Sequence, residues 1–439
     1  MILKKFTHLQ QLSLTTLLTL LLGTTAIAQE DTTHEVLALY TKEIAAINAD
    51  SRVKAAMEHI LAIESQSRRD LIELTEIPAP PFEEQARAER FAEMLREAGL
   101  TDVTIDEVGN VIGRRPGRDG KRVVGYSAHL DTVFPAGTDV TVRFDDEKMY
   151  APGIGDNTRG LVTVLGVLRA LEKANIETEA DLLFIGNVGE EGLGDLRGVK
   201  HLFRDGADKI DALIAVDGGE TNRIVFGGVG SHRYRVTFRG PGGHSWGAFG
   251  LANPHHALGR AIALFDENAP TVTTVGEKTS YNIGVIGGGT SINSIPFESW
   301  MQVDMRSGSQ PKLDDIDAVL KAAVEQALQE ENKARLEGPE LTVDVERVGT
   351  RPAAEGDPLS PVVQRAMAAT QAFGIEPKLQ ISSTDANLPI SKGIPAVTMA
   401  RGGVSGSAHA PEEWWQNLDG HIGMQIGILT LLAEAGFVD

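Results

Sequence analysis

The 439-residue chain contains no cysteine. It therefore forms no disulfide and offers neither a thiolate nucleophile nor a thiolate metal ligand. Any metal it binds must be held by His, Asp and Glu. Positive charge is also scarce, with 41 Lys+Arg against 61 Asp+Glu. Nucleic acid and anionic membranes call for a basic face, so neither is an expected partner. Beyond residue 28 no apolar run is long enough to cross a membrane. Internal repeats and low-complexity segments are missing as well. The glycine-rich GGGTS stretch starting at Gly287 does not open a helix after a strand, which argues against a nucleotide-cradling loop.

What is present begins with an export pattern. Lys4 and Lys5 precede a Leu-rich stretch, and Ala26-Ile27-Ala28 forms an A-x-A cleavage site. Residues 1–28 read as a secretory signal peptide, so the mature protein is expected in the periplasm or the medium, without a stable membrane anchor. An exported protein without disulfides must be held by its core alone. Hydrophobic residues make up 42% of the chain, enough for that purpose.

After residues 33–75, which read as one or two amphipathic helices, strand-like and helical stretches alternate. RVVGYSAHL, ADLLFIGNV and DALIAVDGG are compact apolar runs typical of buried strands, and LVTVLGVLRALEKA lies between two of them as a helix. This order implies an α/β layer with a mostly parallel central sheet. Near Gly227 the pattern changes to half-buried alternating strands, such as SHRYRVTFRG and SWMQVDMRS, separated by long helices. The expected organisation is a catalytic α/β domain (29–227 and 346–439) interrupted by an inserted α+β domain (228–345).

In open α/β sheets, function collects at the carboxyl ends of strands. His129 and Asp131 follow one apolar run, Glu190 and Glu191 another, and Asp217 a third. Asp156 opens a helix, and His409 follows the last run. One such residue alone is more often a helix cap or a turn former. Five such points in one sheet have the composition of a dinuclear metal site, in which a bridging carboxylate holds two ions and a further carboxylate takes a proton from water. A ligating histidine needs its second nitrogen held, and Asp131, two residues from His129, is placed to do so. His201, His232, His255, His256 and His421 read as ordinary surface or packing residues, and Trp414 and Trp415 as packing near the site.

The stretches SAHLDTVFP, GIGDN, GNVGEEG, AVDGG, GPGGHS, GGGTSINSIP, VDMRS and GSAHAPEE, in that order, resemble the M20 family of co-catalytic metallopeptidases and amidohydrolases. The resemblance runs from about Ile77 to the C-terminus. It implies that His129 and Asp217 bind one metal, that Glu191 and His409 bind the other, and that Asp156 bridges them. Glu190 would be the general base and Asp131 the residue that orients His129. The peptide bond after Asp156 would be cis. The resemblance makes the inserted domain a lid and dimerisation domain, so a homodimer is expected. His244 would stabilise the oxyanion, often from the partner subunit, and Asn293 and Arg306 would contact substrate. Zinc is the default metal, with cobalt or manganese able to occupy such N/O sites. The run Asp156-Asn157-Thr158-Arg159-Gly160 departs from the Lys or Lys-Gly that many members carry soon after the bridging Asp. The leading function is an exported exopeptidase acting on small peptides. Next come an N-acyl amino acid amidohydrolase or glutamate-type carboxypeptidase, and last a solute- or metal-binding protein. Glu190 separates them, since a pure binder has no use for a non-ligating carboxylate beside its ligands.

Overall fold

The computed structural model describes residues 34–438. The expected signal peptide lies outside the described residues. Among the described residues, no helix is long and apolar enough to cross a membrane.

The main sheet has eight strands. Its four inner strands, Asp181–Asn187, Val123–His129, Ala212–Val216 and Ala396–Met399, run parallel to one another. Every residue of Asp181–Asn187 and Ala212–Val216 is buried, the continuous apolar pattern of strands covered on both faces. On one edge, the hairpin Asp102–Ile105/Val111–Arg115 adds antiparallel strands. Asp106 shapes its turn: Oδ1 accepts from the backbone N–H groups of Val108, Gly109 and Asn110. On the other edge, Arg223–Gly228 runs antiparallel to Ala396–Met399 and is followed by Lys378–Ser382. That last strand did not stand out in the sequence, because all five of its residues are half-buried.

Helices Arg159–Lys173 and Gly420–Ala435 fill the interior beside this sheet. Gly420–Ala435 is apolar on all sides and buried nearly throughout. The N-terminal stretch forms three helices rather than one or two: Ala38–Ala49, Ser51–Ala62 and Glu64–Thr75. The first break occurs where the Asp50 carboxylate caps the backbone N–H of Arg52 at 2.7 Å, starting a new helix.

A second, fully antiparallel sheet has the order Thr279–Gly288, Glu298–Ser307, Gly230–Arg239, Thr342–Arg351. Helices Pro254–Asn268 and Gln310–Ala334 cover one face and build a separate core around Phe238, Phe265, Met301 and Leu320. Its last strand runs to Arg351, past the sequence-based boundary at 345. Four short strands, Arg143–Asp145, Lys148–Tyr150, Trp414–Gln416 and Val404–Gly406, form a third sheet near the C-terminal loop.

Candidate metal centre

His129 ends its strand, and Asp217 directly follows the neighbouring parallel strand. Glu190 and Glu191 follow the strand on the other side of His129. The parallel register thus brings these residues together at the carboxyl ends of the inner strands. Asp156 comes from the distorted turn Ile154–Thr158 before helix Arg159–Lys173. The Asp156–Asn157 peptide is cis, as expected from the resemblance. Asn157 Nδ2 donates to the Val216 carbonyl at 2.8 Å, tying this turn to the strand that carries Asp217. Gly160 leaves room for that amide, since a Cβ there would lie 2.2 Å from Asn157 Oδ1.

Ligand atoms of His129, Asp156 and Glu191 lie within 4.8 Å of one another. Asp156 faces two ways. Its Oδ1 is 3.2 Å from His129 Nε2, and its Oδ2 is 3.4 Å from His409 Nε2. On the first side, His129 Nε2 is 4.0 Å from Asp217 Oδ1. On the second, His409 Nε2 is 2.9 Å from Glu191 Oε1. The five residues thus form two candidate ligand groups on either side of the Asp156 carboxylate. His409 is placed by a tight loop in which Ser407 and His409 adopt φ of 57° and 65°, a left-handed conformation rare for residues with side chains.

Burial opposes a charged His129, yet Asp131 and Asp156 hold its ring well above the usual histidine range. Hydrogen bonds to Asp156 and Glu191 push His409 up to about 10. The three carboxylates thus concentrate negative charge around two imidazoles, and divalent cations are the natural counter-charge for this donor set. The residues fit a two-metal centre.

Asp131 contacts both His129 and the turn that carries the Glu pair. His129 Nδ1 lies 3.0 Å from the Asp131 carbonyl and 3.5 Å from its Oδ1. The two carboxylate oxygens also accept from the backbone N–H groups of Glu190 and Glu191, at 3.0 and 2.8 Å. One buried residue therefore holds a candidate ligand through its backbone carbonyl and the turn that carries the Glu pair through its carboxylate. Burial would raise Asp131, but the bonds from His129 and the two amides keep it below its usual range.

Several supporting residues were not found by reading the sequence. Arg351 Nη1 donates to Glu190 Oε1 at 2.8 Å, and Nη2 donates to the Glu190 carbonyl. Burial, opposed by Arg351, raises the Glu190 carboxyl well above its usual range. Asp385 accepts from Asn187 Nδ2 at 2.8 Å, and burial raises it to about 7. Glu413 accepts from the backbone N–H groups of Gly153, Gly155 and Asp156 at 3.0, 2.8 and 2.7 Å, cradling the turn that carries Asp156. Arg401 Nη1 lies 3.8 Å from Asp217 Oδ1.

The three expected substrate-side residues lie on or beside the second sheet. His244 is exposed in a two-residue strand paired with Ser294–Ile295, and its Nδ1 accepts from the backbone N–H groups of Trp246 and Gly247. Asn293 is exposed in the adjoining loop, where its carbonyl accepts from the Ser245 N–H at 2.9 Å. Arg306 donates to Asp304 at 2.7 Å and stays partly exposed. The hydrogen bonds of His244 and Asn293 thus stay within and between their two adjoining segments. His232 is buried beside Asp317, and His255 bonds Ser299, both packing roles. Trp415 is buried and donates to the Gly402 carbonyl, while Trp414 lies against Lys148.

Residues 125–435 match peptidase family M20/M25/M40. Among curated proteins, the uncharacterized protein YqjE of Bacillus subtilis is 26% identical over 315 residues, 70% of this chain and 80% of that protein. Carboxypeptidase G2 of Pseudomonas sp. (strain RS-16) is 25% identical over 56% of this chain, and the match spans 59% of that protein's length. The fold is similar to that of aminopeptidase PepT from Bacillus cereus, with a TM-score of 0.66 and 24% identity over 84% of this chain and 98% of that one. It is also similar to that of the di-peptidase Dug1p from Saccharomyces cerevisiae, with a TM-score of 0.68 and 16% identity over 87% and 98%.

Proposed function

The chain belongs to peptidase family M20/M25/M40, whose members are metallopeptidases and amidohydrolases, and on that premise we propose that it is an exported exopeptidase cleaving amide bonds of small peptides. The observation that carries this reading is the pairing of a shared carboxylate, Asp156, with a second carboxylate, Glu190, bonded to Arg351 rather than to any histidine. A protein that only stores metal has no need for Glu190.

His129, Asp156 and Asp217 would hold one divalent ion, and Asp156, Glu191 and His409 the other. Zinc suits these N/O donors, and cobalt or manganese can replace it. When bound, the ions would polarise the scissile carbonyl and make water a better nucleophile. Glu190 takes the proton from the attacking water and returns it to the leaving amine. Burial supports that role, because a carboxyl held high accepts a proton readily. Arg351 holds the carboxylate in place, and Asp131 fixes the turn before it. His244, brought by the partner subunit of a homodimer, donates a hydrogen bond to the developing oxyanion. Asn293 and Arg306 contact the substrate, Arg306 through a carboxylate.

The test is hydrolysis of free di- and tripeptides, N-blocked peptides and N-acyl amino acids by wild type and Glu190→Ala, with metal content measured on both. Amino acid release from free peptides, lost in the variant while both metals stay bound, supports the reading. Turnover confined to acylated substrates moves the assignment to an amidohydrolase or carboxypeptidase. No turnover with both metals bound leaves a binding protein.

A further inference from the structure

A cavity of about 300 Å³ lies among the N-terminal helices, the Arg143–Tyr150 hairpin and the starts of helices Arg159–Lys173 and Gly420–Ala435. None of the five candidate metal ligands lines it. Its size is at the low end of ligand pockets, roughly 300–1,000 Å³, which suits a small molecule.

One wall is Arg159, and this residue is unusual. It is 4% exposed, yet among the described residues it forms no ion pair. Nη2 donates to the Gly420 carbonyl at 3.0 Å, and the guanidinium lies 4.7 Å from the Trp415 ring. Nε is buried and has no partner. Burial, with Arg401 nearby, lowers its pKa only to about 10, so it stays charged at neutral pH. Glu64 is an acid neighbour on the same cavity wall but makes no ion pair with Arg159, so an anion in direct contact would offset the cost of burying this cation. Helix Gly420–Ala435 also begins at this wall, with His421 second in it, and a helix N-terminus favours negative charge. The other linings add detail. Leu71, Met149 and Met424 give a buried apolar surface, and Glu64 and Glu147 stand exposed among the lining residues.

We propose that this cavity binds a free α-amino acid with an apolar side chain. Its carboxylate meets Arg159, its side chain packs on the methionines and Leu71, and its ammonium meets the exposed acids. The juxtaposition also gives the site a route to the metal centre. Arg159 lies three residues after Asp156, and Trp415 lies two after Glu413, which cradles Asp156. The site stands apart from the peptidase reading, because its test measures binding directly.

The test is titration calorimetry of the metal-loaded protein with L-leucine, leucinol and inorganic phosphate. It is repeated on Arg159→Gln and on Ser67→Phe, which fills the cavity from helix Glu64–Thr75 and is checked for a cooperative unfolding transition. The expected result is one leucine bound per chain, at least tenfold weaker binding in both variants, and at least tenfold weaker binding of leucinol. No leucine binding by wild type overturns the proposal. So does unchanged binding by a folded Ser67→Phe, which would put the amino acid elsewhere. Phosphate binding as tightly as leucine overturns the amino-acid assignment.

Discussion

The two halves of the candidate site are built differently. Around the main sheet, five candidate ligand residues and two supporting carboxylates are held by strand ends, buried hydrogen bonds and a shared turn. Beside the second sheet, His244 and Asn293 sit exposed in two short adjoining segments that bond mainly within and between themselves. The first half is organised before substrate arrives, as chemistry requires of groups that must act in a fixed geometry. The second half needs something else to complete it, a substrate or a partner subunit. On the proposed function, reaction type would reside in the main sheet and substrate choice in the segments beside the second.

The largest predicted effect tests the rigid half. Glu190→Gln keeps the shape of the side chain and removes its basicity. kcat should fall by about 10²–10⁴-fold while metal content stays at wild-type level. Loss of metal in this variant would show that Glu190 is a ligand and that the division of roles between the Glu pair is wrong. His129→Ala should instead lose metal and activity together, and added zinc should not restore either.

The next effect tests the open half. His244→Ala should lower kcat by about 10²–10³-fold, the cost of one oxyanion donor, with metal retained. Mixing this variant with Glu190→Gln after mild dissociation should restore activity if His244 serves the partner's site. Failure to regain activity would place His244 in the site of its own chain or remove it from catalysis.

Arg351 joins the halves. It ends a strand of the second sheet and bonds Glu190 on the main one. Both side chains are under a tenth exposed. Arg351→Met strands a buried carboxylate, and the expected stability loss is about 3–5 kcal/mol by chemical denaturation. Arg351→Met combined with Glu190→Gln should recover much of that loss. If the double variant is no more stable than the single, the pair is not the source of the effect.

How far the sequence predicts these arrangements depends on distance along the chain. His129, Glu190, Glu191 and Asp217 were visible because each directly follows an apolar run, and the parallel register brings such ends together. Asp385 obeys the same rule but escaped, because its strand, Lys378–Ser382, lacks an apolar run. Arg351 left no local signal at all. Its partner lies 161 positions earlier, and only the packing of two sheets unites them. Glu413 stood in a stretch already singled out, yet its role depends on three backbone amides that no pattern of side chains announces.

The smallest predicted effect bears on substrate choice. Arg306 is partly exposed and already tied to Asp304, so replacing it should change stability by no more than about 0.5 kcal/mol. If it meets a substrate carboxylate, one charge-assisted hydrogen bond is lost, roughly 1.5–3 kcal/mol. Arg306→Ala should then raise KM about tenfold or more for peptides with a free C-terminus and leave kcat unchanged, since the contact exists equally in ground and transition states. Peptide amides, which lack that carboxylate, should show no change. An equal rise in KM for amides would mean that Arg306 shapes the loop rather than reads the substrate, and the specificity of the open half would then have to come from Asn293 and its neighbours.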